Sequence, residues 1–343
     1  MICKYSGCDK MEKVNITDIE AWCKITFYNN PLQFAHHLYL NNVEVKELLI
    51  PNSVTSIGEA AFRGCSGLLS VTIPNSVTNI GKAAFQDCSG LSNIVIPNSV
   101  TCIESEAFLG CTGLTSITIP NSVNTIQGAV FMDCSGLLDV AIPNSVTNVE
   151  QSTFYRCYGL KSVTIPNSVT NIGDGAFFAC NLTTITIPNS VTNIEGWAFS
   201  GCEGLKNVFI GIGVKNIEGY AFAYCPEIED VYCYAEGVPN TDTDAFSDSY
   251  IEYATLHVPV GSLDDYKNTA PWSSFQTIVA IDHIKGDANS DNDVNADDIT
   301  ELANAIVGKP SDKYKKEAAD INNDGKVDAT DLTNLINILL KRD

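Results

Sequence analysis

Apolar positions recur along most of this chain in one short pattern. Residues 67–88 show it: Gly67-Leu68-Leu69-Ser70-Val71-Thr72-Ile73-Pro74-Asn75-Ser76-Val77-Thr78-Asn79-Ile80, then Gly81-Lys82-Ala83-Ala84-Phe85-Gln86-Asp87-Cys88. Two brief alternating runs, Val71-x-Ile73 and Val77-x-x-Ile80, flank a Pro-Asn pair. Alternation predicts strands buried on one face, and proline forces the chain to turn between them. The Ala-Phe-x-x-Cys stretch is too short for a stable helix and is read as a turn or a single 3₁₀ turn. Each unit therefore predicts strand, turn, short strand, compact turn.

The unit repeats at a fixed step. Its prolines stand at Pro51, Pro74, Pro97, Pro120, Pro143, Pro166 and Pro188, so five steps are 23 residues and the last is 22. A deletion thus lies between Phe177 and Pro188, and Ile210-Gly211-Ile212-Gly213-Val214 continues the period without proline. Such self-similarity predicts a solenoid, an architecture used more for binding surfaces than for catalysis. Leucine recurs at Leu68, Leu91, Leu114, Leu137, Leu160, Leu182 and Leu205. Phenylalanine recurs at Phe62, Phe85, Phe108, Phe131, Phe154, Phe177, Phe199 and Phe222, with Phe246 a ninth. Coils stacked at about 4.8 Å would set ring over ring as a continuous core, stable only as a stack.

Thirteen cysteines invite a disulfide reading. Eight of them, Cys65, Cys88, Cys111, Cys134, Cys157, Cys180, Cys202 and Cys225, follow the repeat. Stacked coils hold equivalent Cβ atoms about 4.8 Å apart, wider than the ~3.8 Å a disulfide prefers. The expectation is a reduced core ladder, and one cysteine per coil does not converge four zinc ligands.

The pattern Leu-x-x-Val-x-Ile-Pro-x-Ser-Val-x-x-Ile-x-x-x-Ala-Phe-x-x-Cys resembles the BspA-like leucine-rich repeats of bacterial surface proteins, over residues 47–230. Residues 1–46, with Trp22-Cys23 and Asn30-Pro31-Leu32, read as an N-terminal cap. Residues 231–285, with Leu256-His257-Val258-Pro259 and Tyr266, read as degenerate coils, cap and linker. Caps are needed because an open coil end exposes apolar surface and unpaired strand edges.

A second duplication occupies residues 286–343. Asp287, Asn289, Asp291 and Asp298 map onto Asp320, Asn322, Asp324 and Asp331 at a constant offset of 33. Loop positions 1, 3, 5 and 12 of an EF-hand supply oxygen ligands, and position 7 offers a backbone carbonyl, here from Asp293 and Lys326. Each loop leads into an amphipathic helical stretch, Ile299-x-x-Leu302-x-x-x-Ile306 and Leu332-x-x-Leu335-Ile336-x-x-Leu339. Hard oxygen donors in two matching loops point to two Ca2+ sites rather than zinc or copper. Asn292 stands where the first loop would carry its sharp-turn glycine, and both loops end in Asp rather than Glu. This segment resembles a type I dockerin. That resemblance implies a calcium-stabilised module docking onto a cohesin-like protein, with partner choice carried by Ala296-Asp297 and Ala329-Thr330.

A formal charge of −21 argues against nucleic acid and against anionic membrane surfaces. No apolar run reaches the 18 residues a membrane span needs. The first eight residues lack the apolar stretch of a secretory signal, although both resemblances imply an extracellular or cell-surface protein. The four histidines fall in caps or linker, and no Gly-x-Ser-x-Gly elbow, phosphate loop or His-Glu-x-x-His occurs, so no enzyme is expected. Outward strand positions such as Ser70, Asn93, Ser116, Ser162 and Thr184 read as a bland polar face. Near the core phenylalanines, Tyr155, Tyr158, Phe178, Trp197, Tyr220 and Tyr224 form a candidate ligand patch for a protein or glycan of a host or neighbouring cell. The sequence thus predicts a mainly β solenoid with irregular turns, of about eight to nine coils, plus a small all-α domain with paired calcium loops. The expected role is non-catalytic recognition. The alternative is an accessory carbohydrate-binding subunit of a cohesin-scaffolded polysaccharide-degrading complex.

Overall fold

The structure, a computed structural model, describes residues 11–27, 29–281, 285–291, 294–322 and 325–340. Two parallel ladders run along the repeats. The longer strands include Glu47–Leu49, Ser70–Thr72, Asn93–Val95, Asp139–Ala141, Ser162–Thr164, Thr184–Ile187, Asn207–Ile210 and Asp230–Cys233. Thr255–Pro259 and Thr277–Ile281 extend this ladder beyond the last clear repeat. Two-residue strands such as Asn79–Ile80 and Asn171–Ile172 form the second ladder after the Pro-Asn turn. Each such turn closes as expected, with Val54, Val77 and Val100 N–H donating to the carbonyls of Pro51, Pro74 and Pro97.

The solenoid winds about twelve turns rather than eight to nine. The extra turns come from the flanks, which keep the winding while losing the Ile-Pro-Asn-Ser-Val sequence. At the N-terminal end, α1 (Ile19–Cys23) and α2 (Leu32–Ala35) close the first coil. Trp22 Nε1 donates to the Ala61 carbonyl at 2.7 Å, and the fully buried Asn30 amide donates to Ala60 and Ala61 at 2.6 and 2.8 Å. At the other end, Trp272 and Phe275 meet Phe246 edge-on, and α3 (Leu263–Asn268) brings Tyr266 Oη within 2.8 Å of the Ala235 carbonyl.

Between the caps, Phe62 to Phe246 form an unbroken stack with ring centroids 5.2–5.7 Å apart and planes within 11°. Each fully buried ring contributes roughly 1.5–3 kcal/mol relative to exposure. The eleven cysteines among the described residues are free thiols. Seven of them, from Cys88 to Cys225, donate to the carbonyl of the core phenylalanine one coil earlier, Phe62 to Phe199, at 3.1–3.3 Å. Cys180 and Leu182 both keep their buried places, which puts the missing residue of the short coil at Asn181.

The compact turn is built from alternating backbone hands and contains no 3₁₀ helix. The residues two before and two after each core phenylalanine from Phe62 to Phe222 have positive φ, as at Ala83 (52°) and Asp87 (58°) around Phe85. Their N–H groups and that of Phe85 point to the next coil, reaching the Ser105, Leu109 and Ala107 carbonyls at 2.7–2.9 Å. An ordinary helical turn would direct all of these bonds within the coil. The alternation converts the turn into a third side of inter-coil bonding.

A separate small core joins Ala288, Val294, Leu302, Ala319 and Leu335. Leu302, Ala319 and Leu335 come from α4 (Ala296–Ile306), α5 (Lys316–Ala319) and α6 (Ala329–Leu340), and Ala288 and Val294 from the loop before α4.

Candidate functional site

The two loops before α4 and α6 repeat one hydrogen-bond scheme. In the first, the Asp298 carboxylate accepts from the Asn289 N–H at 3.1 Å and the Asn295 N–H at 2.9 Å. In the second, the Asp331 carboxylate accepts from Asn322 at 3.2 Å and Asp328 at 3.0 Å. Asn295 and Asp328 then cap their helices, accepting from the Asp297 and Thr330 N–H groups at 2.7 Å each. Thr300 and Thr333 close the pattern by donating to Ala296 and Ala329. Every partner is displaced by 33 residues, so the sequence duplication is also a duplication of geometry.

Carboxylate oxygens of Asp287, Asp291 and Asp298 lie within 4.8 Å of one another. Asp287 and Asp298 are buried and Asp291 is exposed. Asn289 Oδ1 and Asp287 Oδ1 both accept from the Asp291 N–H, which folds the loop around these oxygens. In the second loop, Asp320 accepts from the Gly325 N–H at 2.8 Å, and φ of +81° makes that turn suited to glycine. Burial pushes the Asp298 carboxyl above its ordinary range, with Asp291 adding to the rise. A hard cation would relieve this like-charge crowding, and the all-oxygen donor set fits calcium. Asp293 and Asp324 lie outside the described residues, while Lys326 is exposed at the rim of its loop. Ala296, Asp297, Ala329 and Thr330 are all exposed in the first turns of α4 and α6.

On the array, the structure gathers four of the six candidate aromatics. Tyr155 stacks on Phe178 at 4.6 Å, and Trp197 stacks on Tyr220 at 4.4 Å. A tilted contact between Phe178 and Trp197, 6.3 Å and 56°, links the two pairs. Tyr155 lies against Gly175, where a Cβ would stand 3.4 Å from its ring. Tyr158 and Tyr224 are exposed and join no ring contact among the described residues.

The sheet face is less bland than its serines and threonines predict. Phe209, Tyr232 and His257 stack in register at 4.8 and 4.0 Å, and His257 Nε2 sits 2.7 Å from Asp230 Oδ1. Each ring is a single exception in its own coil. Continuing the outward column from Thr186 through Phe209 to Tyr232 is the signal that would have found it.

Residues 33–161 and 148–267 match the BspA type leucine rich repeat region, in six copies, and residues 285–340 match the dockerin type I domain. A leucine rich cell surface protein from Faecalibacterium prausnitzii is 24% identical, covering 69% of this chain and 88% of its own, with a TM-score of 0.48. A leucine rich repeat protein of T. pallidum is 29% identical over 54% of this chain and 78% of its own, with a TM-score of 0.43. A leucine-rich repeat protein from Bacteroides ovatus is 20% identical over 78% and 92%, with a TM-score of 0.40. No curated protein matches the chain. Among the described residues no helix is long and apolar enough to cross a membrane. Dockerin type I domains typically bind calcium, and both repeat and dockerin families are typically surface or secreted interaction modules. The chain belongs to the BspA-type leucine-rich repeat proteins and carries a dockerin type I domain at residues 285–340.

Proposed function

We propose that this is a non-catalytic extracellular or cell-surface recognition protein with two working ends. The solenoid presents a binding surface to a protein of a host or neighbouring cell. The C-terminal unit, all-α and holding two calcium ions, docks onto a cohesin-like protein. The observation that carries the docking half is the identical hydrogen-bond scheme of the two loops at an offset of 33. Asp287, Asn289, Asp291 and Asp298 would hold one ion together with the Asp293 carbonyl. Asp320, Asn322, Asp324 and Asp331 would hold the other with the Lys326 carbonyl. Calcium supplies charge neutralisation that lets buried carboxylates converge and fixes the helix starts. The docking face would be the first turns of α4 and α6, at Ala296-Asp297 and Ala329-Thr330.

The dockerin match also supports a second reading, an accessory carbohydrate-binding subunit of a cohesin-scaffolded polysaccharide-degrading complex. The rings on the array weigh against its glycan half. A pyranose stacks on an open ring face, and here one face of each ring in the run and both faces of Tyr232 are taken by neighbouring rings.

The test uses the full chain as bait in the extracellular protein pool of its source, with calcium and with chelator. Calcium-dependent capture of a cohesin-bearing protein, lost in an Asp298→Asn, Asp331→Asn variant, is the expected result. Absence of calcium binding by calorimetry would overturn the docking half.

A further inference from the structure

The aromatic run on the array has a chemistry more specific than "binding surface". Trp197 and Tyr220 occupy the positive-φ position two residues before the core phenylalanine, at 59° and 60°. Other coils fill this position with Ala60, Ala83, Glu106, Ala129, Ser152 and Gly175, so the fold does not require a ring there. Bulky residues in this backbone region are unusual, and their clustering in adjacent coils marks a local feature.

Carboxylates stand along the same edge. Glycines immediately precede both rings, and carboxylate oxygens cover them. A Cβ on Gly196 would lie 3.3 Å from Asp174 Oδ1 and 3.9 Å from Glu218 Oε2. One on Gly219 would lie 3.0 Å from Asp244 Oδ1 and 3.6 Å from Asp242 Oδ2. Glu195 accepts from the Asp174 N–H and Glu218 from the Gly196 N–H, which holds both carboxylates against the run. Among the described residues none of these five acids has an ion-pair partner. Burial and the neighbouring Glu195 charge raise the Asp174 carboxyl. The Asp244 charge raises the Tyr220 phenol. Both groups sit in a field that favours an incoming cation.

One end of the run already shows how a cation sits on it. The Arg156 guanidinium lies over the open face of Tyr155, 5.2 Å from its centroid. The opposite end, at Tyr220, meets Asp244 instead of a cation. Ring edges between the two ends suit the apolar stems of long basic side chains, whose heads then reach the flanking acids.

We propose that Tyr155, Phe178, Trp197 and Tyr220, with Asp174, Glu218, Asp242 and Asp244 beside them, receive an arginine- or lysine-bearing polypeptide segment. This rests on the reading of the array as the recognition end and names the chemistry it recognises. The segment's basic heads pair with the carboxylates while their stems cover the rings. The chain's large negative charge speeds the encounter and makes it salt-dependent.

Trp197 reports on this surface by itself. It is 38% exposed, whereas Trp22 and Trp272 are 8% and 0% exposed, and the chain has three tryptophans. Emission of the full-length protein would be titrated with an oligoarginine peptide, an oligoglutamate peptide and cellohexaose. The expected result is a saturable response to oligoarginine alone, weakened by salt. An Asp174→Asn, Asp244→Asn variant keeps the reporter and should bind roughly three- to ten-fold more weakly. A Glu12→Gln, Glu47→Gln variant removes the same charge from exposed positions at the N-terminal end of the array and should bind as the parent does. Equal losses in both variants would reduce the effect to bulk charge and overturn the proposal. So would a response to cellohexaose with none to oligoarginine. If the array captures a ligand that the Asp174→Asn, Asp244→Asn variant binds undiminished, this assignment falls while the recognition reading stands.

Discussion

Ser249 Oγ donates to the Phe222 carbonyl at 2.5 Å, in the place where the preceding coils set a cysteine thiol. It also accepts from the Cys225 N–H at 2.9 Å. The substitution shows what the cysteine column is for: a small buried group that satisfies a phenylalanine carbonyl one coil away. A carbonyl turned inward beside stacked rings has no water to bond, and leaving it unpaired costs about 1–3 kcal/mol. Cys134→Ser should therefore destabilise less than Cys134→Ala, by about 1 kcal/mol in chemical denaturation. The reverse order would mean that the thiol is present for volume alone.

The same burial makes the array sensitive to alkali. Desolvation pushes the thiols of Cys65 and Cys233 up to about 11, and those of Cys23, Cys134 and Cys225 up to about 12, from an ordinary 9.0. The folded pKa values lie above the unfolded one, so the folded chain holds more protons between them. Stability from these groups is complete below pH 9 and is lost as pH rises through the folded values. Each thiol contributes roughly 1 kcal/mol per pH unit within that window. Unfolding monitored by circular dichroism should therefore become steep between pH 9 and 12, and alkylation at neutral pH should not touch the buried column. A flat stability profile to pH 12 would contradict this picture.

Close coil-to-coil approach falls on glycine in the Cys-Ser/Thr-Gly-Leu segment. A Cβ on Gly136 would lie 2.3 Å from the Thr112 carbonyl oxygen, and one on Gly90 equally close to that of Ser66. Both obstacles are backbone and cannot rotate away. Gly136→Ala should cost about 1–3 kcal/mol, as overpacking does. Gly237→Ala, with nothing within 4 Å of its added carbon, should fall within about 0.5 kcal/mol of the parent. Denaturation midpoints of the two variants compare them directly.

What could be read in advance was whatever repeated. Phe85, Cys88 and Leu91 are legible because each recurs every coil, and periodicity converts identity into position. The number of turns was not legible, because the terminal coils carry Trp272, Tyr266 and Asn30 in place of the repeat residues and close the stack through contacts unique to each end. Nor was the handedness of the compact turn, since Ala83, Asp87, Trp197 and Tyr220 carry no common signature of positive φ. The sheet-face column of Phe209, Tyr232 and His257 escaped because only the parallel register joins residues 23 and 25 positions apart. In the C-terminal unit, the offset of 33 was visible in the acids, while the role of Asn295 and Asp328 as caps required the backbone geometry.

The paired loops make a quantitative expectation for metal binding. Asp298 and Asp331 each accept two backbone N–H bonds and sit fully buried at the start of a helix, so each is at once a candidate ligand and the clamp of its loop. Replacing one acid by asparagine removes a ligand charge from one loop and leaves the other loop's donors intact. Calorimetric titration of the full chain should then give two calcium ions per molecule for the parent, about one for Asp298→Asn or Asp331→Asn, and none for the pair. Asp291→Asn, at an exposed position, should weaken the first site by about tenfold without loss of helix signal. Calcium should also raise the unfolding temperature of the helical unit, because an ion that binds only the folded loops stabilises them by mass action. One ion per molecule in the parent, unaffected by Asp331→Asn, would restrict metal to the first loop and leave the second as a hydrogen-bonded copy of it.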